Sequence, residues 1–240
     1  MMSNTKYFGI IGGMGSKATA VFFERIVENT KALKDQDHLD AIIVNHSSLP
    51  DRTEVILNKN DDVFLQAIEK DFRILEIANV ENVAIPCNSA HYFYDKMQDL
   101  TDLKIINMVE ETIKEIHLHY GEGTKVALLA TDGTVRSGIY KKYADKYELD
   151  LLVPDIKAQQ DIMDVIYHNI KGHLDLDSSL LEELIETFIF EEKCSCVIIG
   201  CTELSCITIK DELKVFTYDA MDVLVRKTIE LSGKNNNPSE

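Results

Sequence analysis

The chain has 240 residues, with 25 Lys plus Arg against 41 Asp plus Glu, for a formal net charge of −16. So acidic a chain is a poor ligand for polyanions, which removes nucleic acid and anionic membrane surfaces as default partners. A hydrophobic fraction of 45% with 28% charged residues is that of an ordinary globular protein, and the length suits one to two domains with a full core.

Apolar runs predict strands at 7–11, 41–45, 83–86, 104–107, 125–130, 149–153, 196–200 and 214–217. Several are near-continuous Val/Ile/Leu, the pattern of strands covered on both faces. Helical periods lie between them: Phe64, Ile68, Phe72 and Leu75 form one stripe, and Leu181, Leu184, Ile185 and Phe188 another. Strand alternating with helix implies parallel sheets joined by right-handed crossovers. No run approaches the roughly 18 apolar residues of a membrane span, and no basic leader precedes a long apolar stretch. Five cysteines cannot all pair, so free thiols in a reducing cytoplasm are expected. The polar tail after Leu231 reads as disordered.

The two halves resemble each other. YFGIIGGMGS is matched by KVALLATDGT, VAIPCNSAH (83–91) by VIIGCTELS (197–205), and LKIINMVEET (103–112) by LKVFTYDAMD (213–222). The expected fold is therefore α/β: two pseudo-symmetric lobes with parallel-rich sheets and an active-site cleft between them. The first lobe would hold 1–104 plus 217–240, the second 105–216.

Cys87 and Cys201 each follow an apolar strand and precede a residue suited to starting a helix, Asn88-Ser89 in one case and Thr202 in the other. The carboxyl end of a parallel strand is where open α/β folds bind ligands, and a helix start favours a thiolate. A thiol on each wall of a cleft can invert a carbon that bears an acidic hydrogen, one acting as base and the other as acid. An anionic substrate approaching so acidic a chain would need a local cation. Arg52, in a loop after strand 41–45, could take a carboxylate bidentately. Asn88, Ser89 and Thr202 could donate to a carboxylate beside that carbon, which would gain charge as the acidic hydrogen leaves. Glu203 and His91 stand near the cysteines without an assigned proton-transfer role, and His117 and His119 are expected to face solvent.

Two rival patterns are weaker. Gly13 to Ala18 fits the G-x-G-x-x-A dinucleotide fingerprint, but the acidic Asp35 and Asp37 fall before the second strand rather than at its end. Cys194, Cys196, Cys201 and Cys206 are separated by one, four and four residues, not the C-x-x-C pairs of zinc sites, with Cys194 and Cys196 expected on one strand face.

IPCNSAH and IIGCTELS resemble the two cysteine signatures of the aspartate/glutamate racemase superfamily. GIIGGMGS, LPDRT (49–53), LATDGTVRSGIY (129–140) and IKGH (170–173) resemble its aspartate racemase branch, with Ser89 standing where Thr is common. The resemblance implies a cofactor-independent, dimeric isomerase that interconverts L- and D-aspartate through Cys87 and Cys201, without metal or cofactor. It also implies that Arg52 meets the substrate side chain, that Lys171, after the helical run 161–170, meets a substrate carboxylate, and that Met14 lines the pocket, with Thr131 and Thr134 in the matching turn. Glutamate or broad amino-acid specificity is the alternative, and a nicotinamide-dependent oxidoreductase a more distant one.

Overall fold

The structure, a computed structural model, describes residues 7–237. Eight strands form two four-stranded parallel sheets. The first contains β1 (Phe8–Gly12), β2 (Ala41–Asn45), β3 (Asn82–Ala84) and β4 (Lys104–Ile105) in the order β2-β1-β3-β4. The second contains β5 (Lys125–Leu129), β6 (Asp150–Leu152), β7 (Cys196–Ile199) and β8 (Thr217–Asp219) in the order β6-β5-β7-β8. The two orders are the same once the second set is renumbered, which is the architectural form of the sequence repeat. The buried runs of β1 and β7 occupy central positions, whereas β2 lies at an edge and is only half covered.

Helices of the first half are α1 (Ser16–Asn29), α2 (Arg52–Asn58), α3 (Asp61–Ile77) and α4 (Tyr94–Gln98), followed by the connecting α5 (Met108–Tyr120). The second half holds α6 (Asp132–Ser137), α7 (Ile139–Lys146), α8 (Ile156–Met163), α9 (Ser179–Glu186), α10 (Asp211–Lys214) and α11 (Ala220–Leu231). The stripe of Phe64, Ile68, Phe72 and Leu75 is fully buried in the outer core of the first sheet. The stripe from Leu181 to Phe188 does the same for the second. Between the sheets lies one shared core: Phe22 and Ile26 of α1, Ile113 of α5, Tyr140 of α7 and Leu224 of α11 pack with side chains from both sheets. Burial of this common layer holds the halves in register, so the cleft has rigid walls.

Three expectations are corrected. Residues 211–214 form α10, and the last strand runs Thr217–Asp219; Leu213 is buried in the outer core, and one helical turn brings it there before pairing of Val197 with Thr217 begins. The tail pairs with α1's end: Lys31 N–H donates to the Asn235 carbonyl at 2.8 Å and Asn237 N–H to the Asn29 carbonyl at 2.7 Å. Polar side chains do not prevent backbone pairing; residues 238–240 lie outside the described part. Cys196 enters the shared core and Cys194 the outer core, because the strand begins only at Cys196 and its two-residue alternation does not extend back to Cys194.

Candidate active site

Cys87 sits three residues beyond β3 and Cys201 two beyond β7, the third strands of their sheets. Both line one small cavity between the lobes. Met14, Arg52, Asn88 and Ser89 join Cys87 on the first lobe's side, and Lys171 and Thr202 join Cys201 on the second's. All eight residues singled out in the sequence thus border one space.

Local folding brings them there. Gly13 takes a φ of 88°, and a Cβ at this position would lie 2.4 Å from the His46 backbone, so only glycine lets β1 turn into α1 against that loop. At the opposite wall a Cβ on Gly133 would lie 2.8 Å from the Thr53 Cα, so α6 and α2 meet across the cleft through this glycine. Hydroxyl groups tie the lobes together. Ser89 Oγ lies 2.7 Å from Thr134 Oγ1 and 3.1 Å from Thr131 Oγ1, and Thr202 Oγ1 donates to the Pro86 carbonyl at 3.2 Å. The Ser89 and Thr202 hydroxyls expected to be free donors are therefore already engaged across the cleft. Asn88 differs: Tyr140 donates to its Oδ1 at 2.5 Å, and its buried Nδ2 has no partner among the described residues.

Arg52 is the first residue of α2, not a loop residue, with Asp51 capping the helix by accepting from Glu54 N–H at 3.0 Å. Only 7% exposed, the guanidinium donates to the Leu49 and Pro50 carbonyls, makes no ion pair among the described residues and leaves a buried Nε unpartnered. It is not the solvated partner of a neighbouring carboxylate. A buried cation held only by carbonyl dipoles has capacity for an anion.

Lys171 lies inside a π-helical stretch, Asp164–His173, that continues α8, so the helical run does not stop at 170. The widened turn sets Tyr167 and Lys171 beside the first lobe. Tyr167 donates to Thr53 Oγ1 at 3.1 Å, and Lys171 Nζ lies 4.3 Å from the Tyr167 ring centroid, 3.8 Å from Glu203 and 4.0 Å from Asp51. Burial pulls the Lys171 pKa down, but Glu203, with Cys201, Tyr167 and Asp51, more than offsets it and leaves the ammonium above its ordinary value.

The main departure concerns Cys201. The helix start was expected to favour its thiolate, yet only a short 3-10 turn follows, Leu204–Cys206. Instead the thiol donates to Glu203 Oε2 at 3.1 Å, while Glu203 Oε1 accepts from Gly15 N–H at 3.1 Å. Burial first, and the Glu203 carboxylate second, push Cys201 well above the ordinary thiol range, with Lys171 opposing. Cys201 rests as a neutral thiol. Glu203 is the residue that sequence reasoning placed near the cysteines but gave no role. Its signal was a break in the repeat: Cys201-Thr202-Glu203 stands opposite Cys87-Asn88-Ser89, a carboxylate facing a hydroxyl. Asp51, Thr53 and Tyr167 were also missed, because their approach depends on how the lobes dock. His91 turns away into the core, its ring between the Cys87 and Ile106 carbonyls at 2.9 and 3.1 Å. His119 is exposed as expected, whereas the half-buried His117 bonds the Tyr147 carbonyl. The amides of the Gly-rich turn are engaged within the protein, Gly13 N–H by Thr19 Oγ1 and Gly15 N–H by Glu203.

The chain is similar to known racemases. The profile of the Asp/Glu/hydantoin racemase family matches residues 11–228. The broad specificity amino-acid racemase RacX of Bacillus subtilis is 26% identical over 227 residues, covering 92% of this chain and 96% of RacX. The aspartate racemase of Picrophilus torridus superposes with a TM-score of 0.82 at 28% identity, covering 97% of this chain and 96% of that one. The glutamate racemase of Francisella tularensis shares the fold at 15% identity, with a TM-score of 0.62 and coverage of 95% and 81%.

Proposed function

The chain belongs to the Asp/Glu/hydantoin racemase family, and from that premise we propose that it interconverts L- and D-aspartate by proton transfer between two cysteines, without a cofactor. The observation that carries this reading is that Cys87 and Cys201, from equivalent strand ends of two equivalent sheets, border one cavity. In one direction Cys87, as thiolate, removes the α-hydrogen, and the neutral Cys201 thiol donates a proton to the opposite face. In the other direction the roles exchange. Removal of the α-hydrogen turns the α-carboxylate into an enediolate, and a donor aimed there strengthens its bond as charge develops. The unpartnered Nδ2 of Asn88 is that donor. Backbone N–H groups beside the cysteines assist it, with the Ser89 and Thr202 hydroxyls shaping the wall. Met14 packs against the substrate, and Arg52 and Lys171 take its carboxylates.

Glu203 has two consequences in this scheme. It keeps Cys201 protonated, and so ready to act as the acid, and it raises the free energy of the Cys201 thiolate needed in the reverse direction. Lys171 moderates that penalty through its position near both groups.

A broader substrate range is the second reading, favoured by the 26% identity to RacX over 92% of the chain. One methylene gives only about 1–3 kcal/mol of discrimination, so glutamate competes with aspartate on physical grounds. Incubation of the enantiomers of aspartate, glutamate and lysine separately in D2O, without added cofactor, tests both. Racemisation with deuterium at Cα, fastest for aspartate, is expected. Equal rates for the three favour the broad reading, no turnover refutes both, and strict dependence on NAD points to the dinucleotide pattern of Gly13 to Ala18. The proposed working form is a cytoplasmic homodimer, and sedimentation equilibrium reads the assembly.

No helix among the described residues is long and apolar enough to cross a membrane.

A further inference from the structure

Tyr140, from the SGIY stretch of the second lobe, is a side chain the scheme above leaves without a task. It is fully buried in the shared core at 0% exposure, yet its hydroxyl reaches across the interface to one atom, Asn88 Oδ1, at 2.5 Å. A buried tyrosine is a large apolar body with one polar atom that must find a partner. Here that partner is a side chain of the cavity wall. Burial holds the phenol well above its ordinary range, so it is permanently a donor.

The amide of Asn88 has two ends of opposite hydrogen-bonding character. Left unheld, it could turn either an acceptor or a donor toward a ligand, and an oxygen facing a carboxylate would repel it. The Tyr140 O–H occupies Oδ1, which leaves the buried and unpartnered Nδ2 as the free end. We infer that Tyr140 is a positioning residue: from the second lobe it fixes the orientation of the first lobe's Asn88 amide, so that the cavity presents a donor to the substrate's α-carboxylate. Asn88 in turn meets its donor only when the lobes are docked, so the anion-binding wall exists only in the assembled cleft. This rests on the racemase reading above, in which Asn88 contacts the substrate.

The test uses two substitutions of equal shape, each followed by α-hydrogen exchange in D2O and by thermal melting. Tyr140→Phe deletes only the hydroxyl. It is expected to lower kcat about tenfold, the worth of one hydrogen bond, while KM moves far less, because the donor acts mainly on the enediolate. Asn88→Asp keeps an acceptor for Tyr140 but supplies no donor; exchange is expected to fall at least about 100-fold, and the melting curve reports the separate cost of the buried carboxylate. Combining Tyr140→Phe with Asn88→Ala separates positioning from plain stability. If Tyr140 acts through Asn88, the phenylalanine adds no further loss once the amide is gone. Multiplying losses in the double variant, or a fully active Asn88→Asp protein, overturn the inference while leaving the racemase reading intact. A wild-type protein that exchanges no α-hydrogen overturns both.

Discussion

Replacing Glu203 by glutamine isolates the electrostatic relation that distinguishes the two cysteines. The glutamine oxygen can keep the bond from Gly15 N–H, and its amide nitrogen can donate to the Cys201 sulfur, so the shape is preserved while the charge is lost. Two unit charges about 4 Å apart at an effective dielectric of about 20 interact by about 4 kcal/mol, or roughly three pK units at about 1.4 kcal/mol each. Spreading of the carboxylate charge and the opposing Lys171 reduce this, so the Cys201 thiol is expected to fall back toward its ordinary range. In the proposed two-cysteine scheme the active form of the free protein carries one thiol and one thiolate. The pH profile of kcat/KM is therefore a bell whose basic limb marks loss of the second thiol proton, a property of the pair in which Cys201 holds its proton more tightly than an ordinary thiol. In Glu203→Gln that limb moves to lower pH and the bell narrows. The substrate ammonium titrates identically with both proteins, so the difference between their profiles is the readout. Because enantiomers have equal energy, kcat/KM must remain equal in the two directions at every pH; only kcat and KM can divide between them. A basic limb within about 0.3 units of wild type would refute the argument that Glu203 governs the Cys201 proton.

Lys171→Met has the opposite electrostatic sign: without the ammonium Cys201 rises further, so the basic limb moves up while turnover falls. Replacing either Cys87 or Cys201 by alanine removes one of the two proton-transfer groups and should lower racemisation by at least the roughly 10²–10⁴ of an acid–base residue; a fully active single variant, read by circular dichroism of the product, eliminates the two-base scheme. Arg52→Ala should cost about 10- to 100-fold in kcat/KM for aspartate, the worth of hydrogen bonds to a charged group, and far less for alanine; equal losses would mean the guanidinium serves the fold instead. Gly133→Ala forces a methyl against Thr53 at 2.8 Å and should lower stability by about 1–3 kcal/mol in urea unfolding.

Much of this was legible in one dimension. Hydrophobic periodicity located nearly every strand, and the internal repeat implied two similar lobes with parallel sheets, because each buried strand must be covered and each crossover must return the chain parallel. The cysteines were found by the same means: a residue at a strand's carboxyl end is placed by local backbone alone. The limits were set by weak local signals. The pairing of the polar tail escaped because its backbone partners, Asn29 and Lys31, lie far along the chain, and the turn at Asp211, closed by local bonds to the Lys210 carbonyl, is too short to show a period.

Charge state and orientation were decided elsewhere. That Cys201 is a neutral thiol follows from burial and from Glu203, itself held by Gly15 some 188 residues away. That Asn88 has a free donor follows from Tyr140 in the opposite lobe. Periodicity reports which face of an element is apolar, but dielectric, distance and hydrogen-bond partnership arise only when the lobes close on each other. The sequence named the groups that could exchange a proton, and docking of the lobes determined which of them holds it.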